Sequence, residues 1–167
     1  MAGNQPKLED KLEKYWRRLF YLQPLAESTS LDLSELEYFG VFSVKDPQAT
    51  DRKLWYIYCC FQPEIAEVVE KVRQKYGKKN VHEVYRKPTF SGVGFRRTVR
   101  DYFSHLKWIT KGHLLEAPAN SYYNDVRIVK TVAELHDKEQ RRLFDCIMEQ
   151  HNWFKKYNDQ KPPSPRH

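Results

Sequence analysis

Residues 7–22, KLEDKLEKYWRRLFYL, repeat their apolar side chains at helical spacing, with Leu8, Leu12, Tyr15, Trp16, Leu19 and Phe20 on one stripe. Gln23-Pro24 ends that run, because a residue before proline is pushed out of the helical region. Glu27-Ser28-Thr29-Ser30 is a polar linker, and Ser30 or Asp32 supplies the cap for a second, short helix over 31–38. From Gly40 the period falls to two: Phe42 and Val44 share one side, Val41, Ser43 and Lys45 the other. LWYIYCCFQ, 54–62, reads as a strand of aromatic and β-branched residues. Pro63 stops it and opens a helix over 64–76, which places Ile65, Val68, Val69, Val72 and Tyr76 on one stripe before Gly77. Residues 79–87 and 92–100 read as two further strands joined through Pro88–Ser91, and helical patterns follow at 101–109, 121–136 and 138–154. In the helix at 121–136 the stripe is Tyr122, Val126, Val129, Val132 and Ala133. The predicted class is α+β: a helix and linker over 1–30, a mixed domain over 31–155, and a disordered tail over 156–167 that ends in KPPSPRH.

Alternation along 92–100 assigns side chains to faces. Val93, Phe95, Arg97 and Val99 fall on one side, and Gly94, Arg96, Thr98 and Arg100 on the other. With the apolar side turned to the helices, Arg96 and Arg100 project from an open sheet face. Tyr56 and Tyr58, opposite Trp55, Ile57, Cys59 and Phe61, join them there, with Lys45 and Arg86. Arginines among tyrosines suit phosphates and stacked bases. The alternative is that both tyrosines pack beneath a further element such as the first helix.

Charge makes the same face more specific. The 167 residues carry a net charge of +7, but 71–111 holds twelve basic residues against Glu83 and Asp101, a local +10. The rest of the chain is therefore slightly acidic, and the segregation favours a phosphate-binding surface over a merely solvated one. The stretch from Lys71 to Lys79 also fits a plain solvated helix face.

The motifs of catalysis are missing from the chain: there is no GxxxxGK[ST], HExxH or GxSxG, and the six histidines have no metal-ligand spacing. No catalytic residue, metal ligand or cofactor is expected. Cys59, Cys60 and Cys146 form no CxxC pair and suit a reducing compartment. No apolar run approaches the length of a membrane span, and the first sixteen residues lack a signal-peptide core.

Leu33-Ser34-Glu35-Leu36-Glu37-Tyr38-Phe39-Gly40-Val41-Phe42-Ser43-Val44 is similar to the motif helix and first strand of LAGLIDADG homing endonucleases, LxGFIDGEGSFSV. Phe61-Gln62 before an acidic helix, Tyr102 to Lys111, and Tyr122 to His136 resemble later segments of that family, over about two-thirds of the chain. The resemblance implies an α-β-β-α-β-β-α domain, here with an extra N-terminal helix and C-terminal helices. It places the family's metal-binding acid at Phe39, with Glu37 two residues earlier; Ser34 keeps a small helix-packing position and Tyr38 loses one. The implied function is a non-catalytic nucleic-acid-binding protein descended from a nuclease. RNA is favoured over DNA, as a splicing helper or a component of an organellar ribonucleoprotein such as a ribosome. The expected contacts are Lys45, Tyr56, Tyr58, Arg86, Arg96 and Arg100, with protein partners on the N-terminal helix. The competing expectations are an active homodimeric endonuclease and a protein-interaction module.

Overall fold

The computed structural model describes residues 36–160. Its elements are β1 (Glu37–Val44), β2 (Arg52–Phe61), α1 (Ile65–Tyr76), β3 (Val81–Thr89), α2 (Gly92–Tyr102), β4 (Lys107–Ile109), β5 (Leu114–Pro118) and α3 (Asp125–Gln160). The described residues thus form a mixed α+β arrangement of one five-stranded antiparallel sheet, ordered β3-β1-β2-β5-β4, and three α-helices. The expected helix over 7–22, the linker after it, residues 31–35 and residues 161–167 lie outside the described residues.

Strand β1 is buried on both sides, which explains its nearly unbroken apolar run. Phe39 and Val41 pack with Trp55, Ile57, Tyr85 and Leu115, and this layer is closed by Phe95 and Val99 of α2 and Ile128 and Val132 of α3. Phe42 and Val44 pack on the other side with Leu54, Tyr58, Val81 and Leu114, and α1 covers them through Val72, Val68, Val69 and Tyr76. Helices therefore lie on both faces of the sheet, and the open face expected from the alternation is not formed.

Two corrections concern the ends of the motif-like region. Residues 37–39 belong to β1 and not to the end of a helix. Residues 92–102 are helix α2 and not a fourth strand, so the element order departs from the one implied by the resemblance. The misreading has a simple cause. Phe95 and Val99 are four apart, and a spacing of four brings side chains to one face under either period. Phe103, four further on, continues the helical stripe, and all three are buried.

Local chemistry favours the helix. The Ser91 hydroxyl accepts the Gly94 N–H at 3.2 Å, an N-cap. The Glu37 carboxylate accepts the Gly92 N–H at 2.6 Å and so faces the positive end of the helix dipole. A Cβ on Gly92 would come within 2.7 Å of Cys59 Cβ, so only glycine lets α2 start this close to β2.

After α2, residues expected to be helical instead enter the β4–β5 hairpin, whose second strand, LLEAP, is too short to show a period. The helices expected at 121–136 and 138–154 are one helix, α3, which also takes in residues 156–160 of the expected tail. Ile128, Val132 and His136 form its buried stripe, whereas Tyr122 and Val126 are about three-quarters exposed, at 74% and 75%. Trp55 Nε1–H donates to Asp125 Oδ1 at 2.9 Å, and the Lys53 ammonium donates to the Tyr123 carbonyl at 2.7 Å, which ties the start of α3 to β2.

One buried polar chain crosses the layer beneath α3. The Gln140 amide donates to His136 Nε2 at 2.9 Å, which leaves Nδ1 as the protonated ring nitrogen, 2.7 Å from the Tyr85 hydroxyl. Burial pushes the His136 pKa down to about 4, and Lys87 adds to the shift.

Helix and strand make opposite demands at positions 93 and 95, which gives the first prediction. Phe95→Ala should cost about 3–5 kcal/mol in urea unfolding, as for other fully buried aromatics, and Val93→Ala less than about 0.5 kcal/mol. Comparable losses at both sites would contradict α2. The second prediction follows from His136. The folded state resists its protonation, so stability is complete above the ordinary pKa of 6.5 and falls as pH drops toward 4. Between pH 7 and 5 this group accounts for up to about 2 kcal/mol. The loss over that interval should be smaller in His136→Gln; an unchanged pH slope would remove the assignment.

Candidate nucleic-acid interface

The six residues expected to share one surface are divided by the sheet. Tyr58 and Tyr56 lie on the α1 side. Tyr58 is 3% exposed, and burial, with the nearby Glu83 charge, pushes its pKa up to about 12. Tyr56 is half-buried, and its pKa too is raised by burial. The Tyr58 ring is therefore covered, and the Tyr56 ring is already stacked on His113, with centroids 5.9 Å apart. Arg86 donates to the Tyr58 hydroxyl at 3.2 Å and to Glu83 Oε2 at 2.7 Å, so its charge is already neutralised. Lys45 is exposed just beyond β1, and its backbone N–H donates to the Asn80 carbonyl at 2.8 Å. Arg96 and Arg100 are on α2, on the opposite side of the sheet. The alternation that grouped these residues required 92–100 to be a strand of the same sheet.

Arg96 and Arg100 nevertheless belong to a site of their own. They line a groove of about 500 Å³ with Val93, Arg97, Asp101, Ser104 and Trp108. One wall is α2; across from it stands the β4–β5 hairpin at the sheet edge. Positions 93, 97 and 100 fall on the side of the helix away from Phe95 and Val99, position 96 on its flank and Ser104 just past its end, so the fold that buries the phenylalanine also presents the arginines.

The hairpin holds two of the arginines in place. His113 Nδ1 is 3.1 Å from the Ile57 carbonyl and must donate to it, which leaves Nε2 to accept from the Arg96 guanidinium at 3.4 Å. The Arg100 guanidinium lies 6.0 Å from the centre of the Trp108 ring and directly against Gly112, where a Cβ would stand 2.9 Å from Arg100 Cζ. The Trp108 Nε1–H donates to the Phe103 carbonyl at 3.1 Å. That bond satisfies a carbonyl at the end of α2 and fixes the indole plane.

Among the described residues no carboxylate is ion-paired with Arg96, Arg97 or Arg100. Some other cations are engaged: Arg52 with Glu116, Lys71 with Glu67, Arg86 with Glu83 and Lys107 with Glu116. A second cavity of about 560 Å³ beneath the β1–β2 turn includes Lys45, Arg52 and Lys53, but Asp46 and Asp125 line it too. Two carboxylates offset its three cations, and Arg52 is already paired with Glu116, so it suits an anion less well than the arginine groove, where Asp101 stands against three arginines. No group of three or more His, Cys, Asp or Glu able to hold a metal occurs among the described residues. Phe39, which the resemblance aligns with a metal-binding acid, is fully buried, and the Glu37 carboxylate is committed to Gly92. Burial raises the thiol pKa of Cys60 to about 11 and raises that of Cys59, so neither suits nucleophilic work. No described helix is long and apolar enough to cross a membrane.

Alternation puts Arg97 on the apolar side of a strand and gives Trp108, Ser104 and His113 no part in a site. The available signal was Gly112 between two short apolar runs, which marks a hairpin turn. The chain matches no protein-family model, and no curated protein or solved structure is similar to it at a significant level.

The hairpin loop is strained. Thr110 and Lys111 have φ of 53° and 54°, followed by Gly112 at 82°. The Gly112 and His113 N–H groups donate to the Ile109 and Thr110 carbonyls at 3.2 and 3.1 Å. A β-branched residue and a lysine in the left-handed region cost about 1–2 kcal/mol each. The double substitution Thr110→Asn, Lys111→Gly should therefore raise stability by about 1 kcal/mol or more in thermal or urea unfolding. A decrease would show that these side chains make contacts that outweigh the strain.

Proposed function

We propose that this domain binds nucleic acid without cleaving it, and that it does so in the groove between α2 and the β4–β5 hairpin. The observation that carries the reading is the trio Arg96, Arg97 and Arg100, without described carboxylate partners, beside the fixed ring of Trp108. Cations left unpaired within a strongly basic region attract polyphosphates through counterion release. Descent from a LAGLIDADG nuclease accounts for the motif-like run over 33–44 and for a phenylalanine where the metal-binding acid would be. RNA is favoured over DNA.

The test is fluorescence anisotropy with labelled RNA and DNA over a range of salt. Arg96→Ala with Arg100→Ala should weaken binding and lower the salt slope by about 1.8 on duplex DNA and about 1.4 on a single strand, if each arginine meets one phosphate. Lys71→Ala with Lys75→Ala, on the α1 side of the sheet, should leave both unchanged. Equal affinity of the arginine variant and the parent, or an effect confined to the lysine variant, would reject this groove. Mg²⁺ or Mn²⁺ added to the same mixtures should produce no cleavage.

A further inference from the structure

The disposition of the groove's arginines and the state of Trp108 narrow the kind of nucleic acid, given that the domain binds nucleic acid at all. Two of the three guanidinium groups are turned toward the hairpin and not outward from the helix. Arg96 is held at His113, and Arg100 lies between Gly112 and Trp108. Charge is thus presented along an open groove of about 500 Å³ beside Trp108. Arg97, exposed on the outer wall, extends the charge along the groove.

The second observation is the state of Trp108. It is half-buried, packed in part on the core layer and lining the groove with the rest; its only polar atom is used by the Phe103 carbonyl, and Arg100 lies over its ring. The part of the fixed indole that lines the groove needs no reordering to receive another planar group. In a duplex the base faces are covered by their neighbours, whereas in a single strand they are free to stack. The hairpin strain bears on the same point. Three successive positive φ values place Gly112 where the Arg100 guanidinium can lie flat against the backbone. Strain of this kind concentrates at functional sites.

We infer that the groove between α2 and the β4–β5 hairpin is a single-strand site, in which a base stacks at Trp108 and the adjoining phosphates meet Arg96, Arg97 and Arg100. The shared chemistry is an unpaired polynucleotide, and RNA and DNA arms of one experiment identify the sugar.

The probes are a 12-nucleotide RNA, the DNA of the same sequence, and each annealed to its complement, all measured by anisotropy at one salt concentration. The better single strand should bind at least tenfold more tightly than its duplex. Trp108→Ala should weaken single-strand binding about tenfold or more, while Trp108→Phe, which keeps a ring, should retain most of it. Since Trp108→Ala also removes the bond to Phe103, a second readout uses the unaltered protein. With 2-aminopurine placed in turn along the strand, at least one position should be quenched on binding, and Trp108→Phe should change that quenching. Arg97→Ala, which breaks no described contact, should weaken single-strand binding severalfold. Duplex bound as tightly as single strand, or no quenched position, would overturn the inference and leave the nucleic-acid reading standing. No binding of any probe would overturn that reading, and this inference with it.

Discussion

The Phe39 ring lies edge-on to Phe95 of α2, with centroids 4.5 Å apart, and edge-on to Tyr85 of β3 at 6.3 Å. These contacts join β1, its neighbour β3 and a helix in one buried cluster. The rest of the candidate site depends on them. Once Phe95 is held against Phe39, the rotation of α2 is set, so that Arg96 and Arg100 reach the hairpin and Arg97 is exposed beside them. Core packing and charge display are two consequences of one helix orientation.

Glu37 works in the same direction. Its carboxylate receives the first N–H of α2, Ser91 caps the next turn, and Gly92 allows close approach to β2. The start of the helix is therefore fixed by polar contacts and its middle by apolar ones. Of the two positions that the resemblance assigns to metal-binding chemistry, Phe39 is core and Glu37 anchors a helix.

The groove is assembled from segments with little sequence signal of their own. Trp108 belongs to a three-residue strand, and Gly112 and His113 to a loop. Each has a clear partner only across the fold: Phe103, Arg100 and Arg96. Lys45, Tyr56, Tyr58 and Arg86, which alternation and charge group with the arginines, do not line the groove. Tyr58 is buried and bonded, Arg86 is ion-paired, Tyr56 is half-covered, and Lys45 sits by a cavity of mixed charge.

Long periodic elements were legible from the chain itself. The helix at 65–76 and the strands at 52–61 and 81–89 stand within a few residues of where side-chain spacing put them, and Gly77 stops its helix as expected. The mixed α+β class and the concentration of positive charge over 71–111 were also legible, because composition and period are local properties. The conformation of 92–102 was not, since Phe95 and Val99 satisfy both periods and the deciding contacts come from Glu37, Phe39 and Cys59, more than thirty residues away. Nor could period show that α1 covers the tyrosine face, because an amphipathic helix packs on either side of a sheet with the same sequence pattern. Which arginines are left without a carboxylate is likewise a matter of distance in space, and only the tertiary structure decides it.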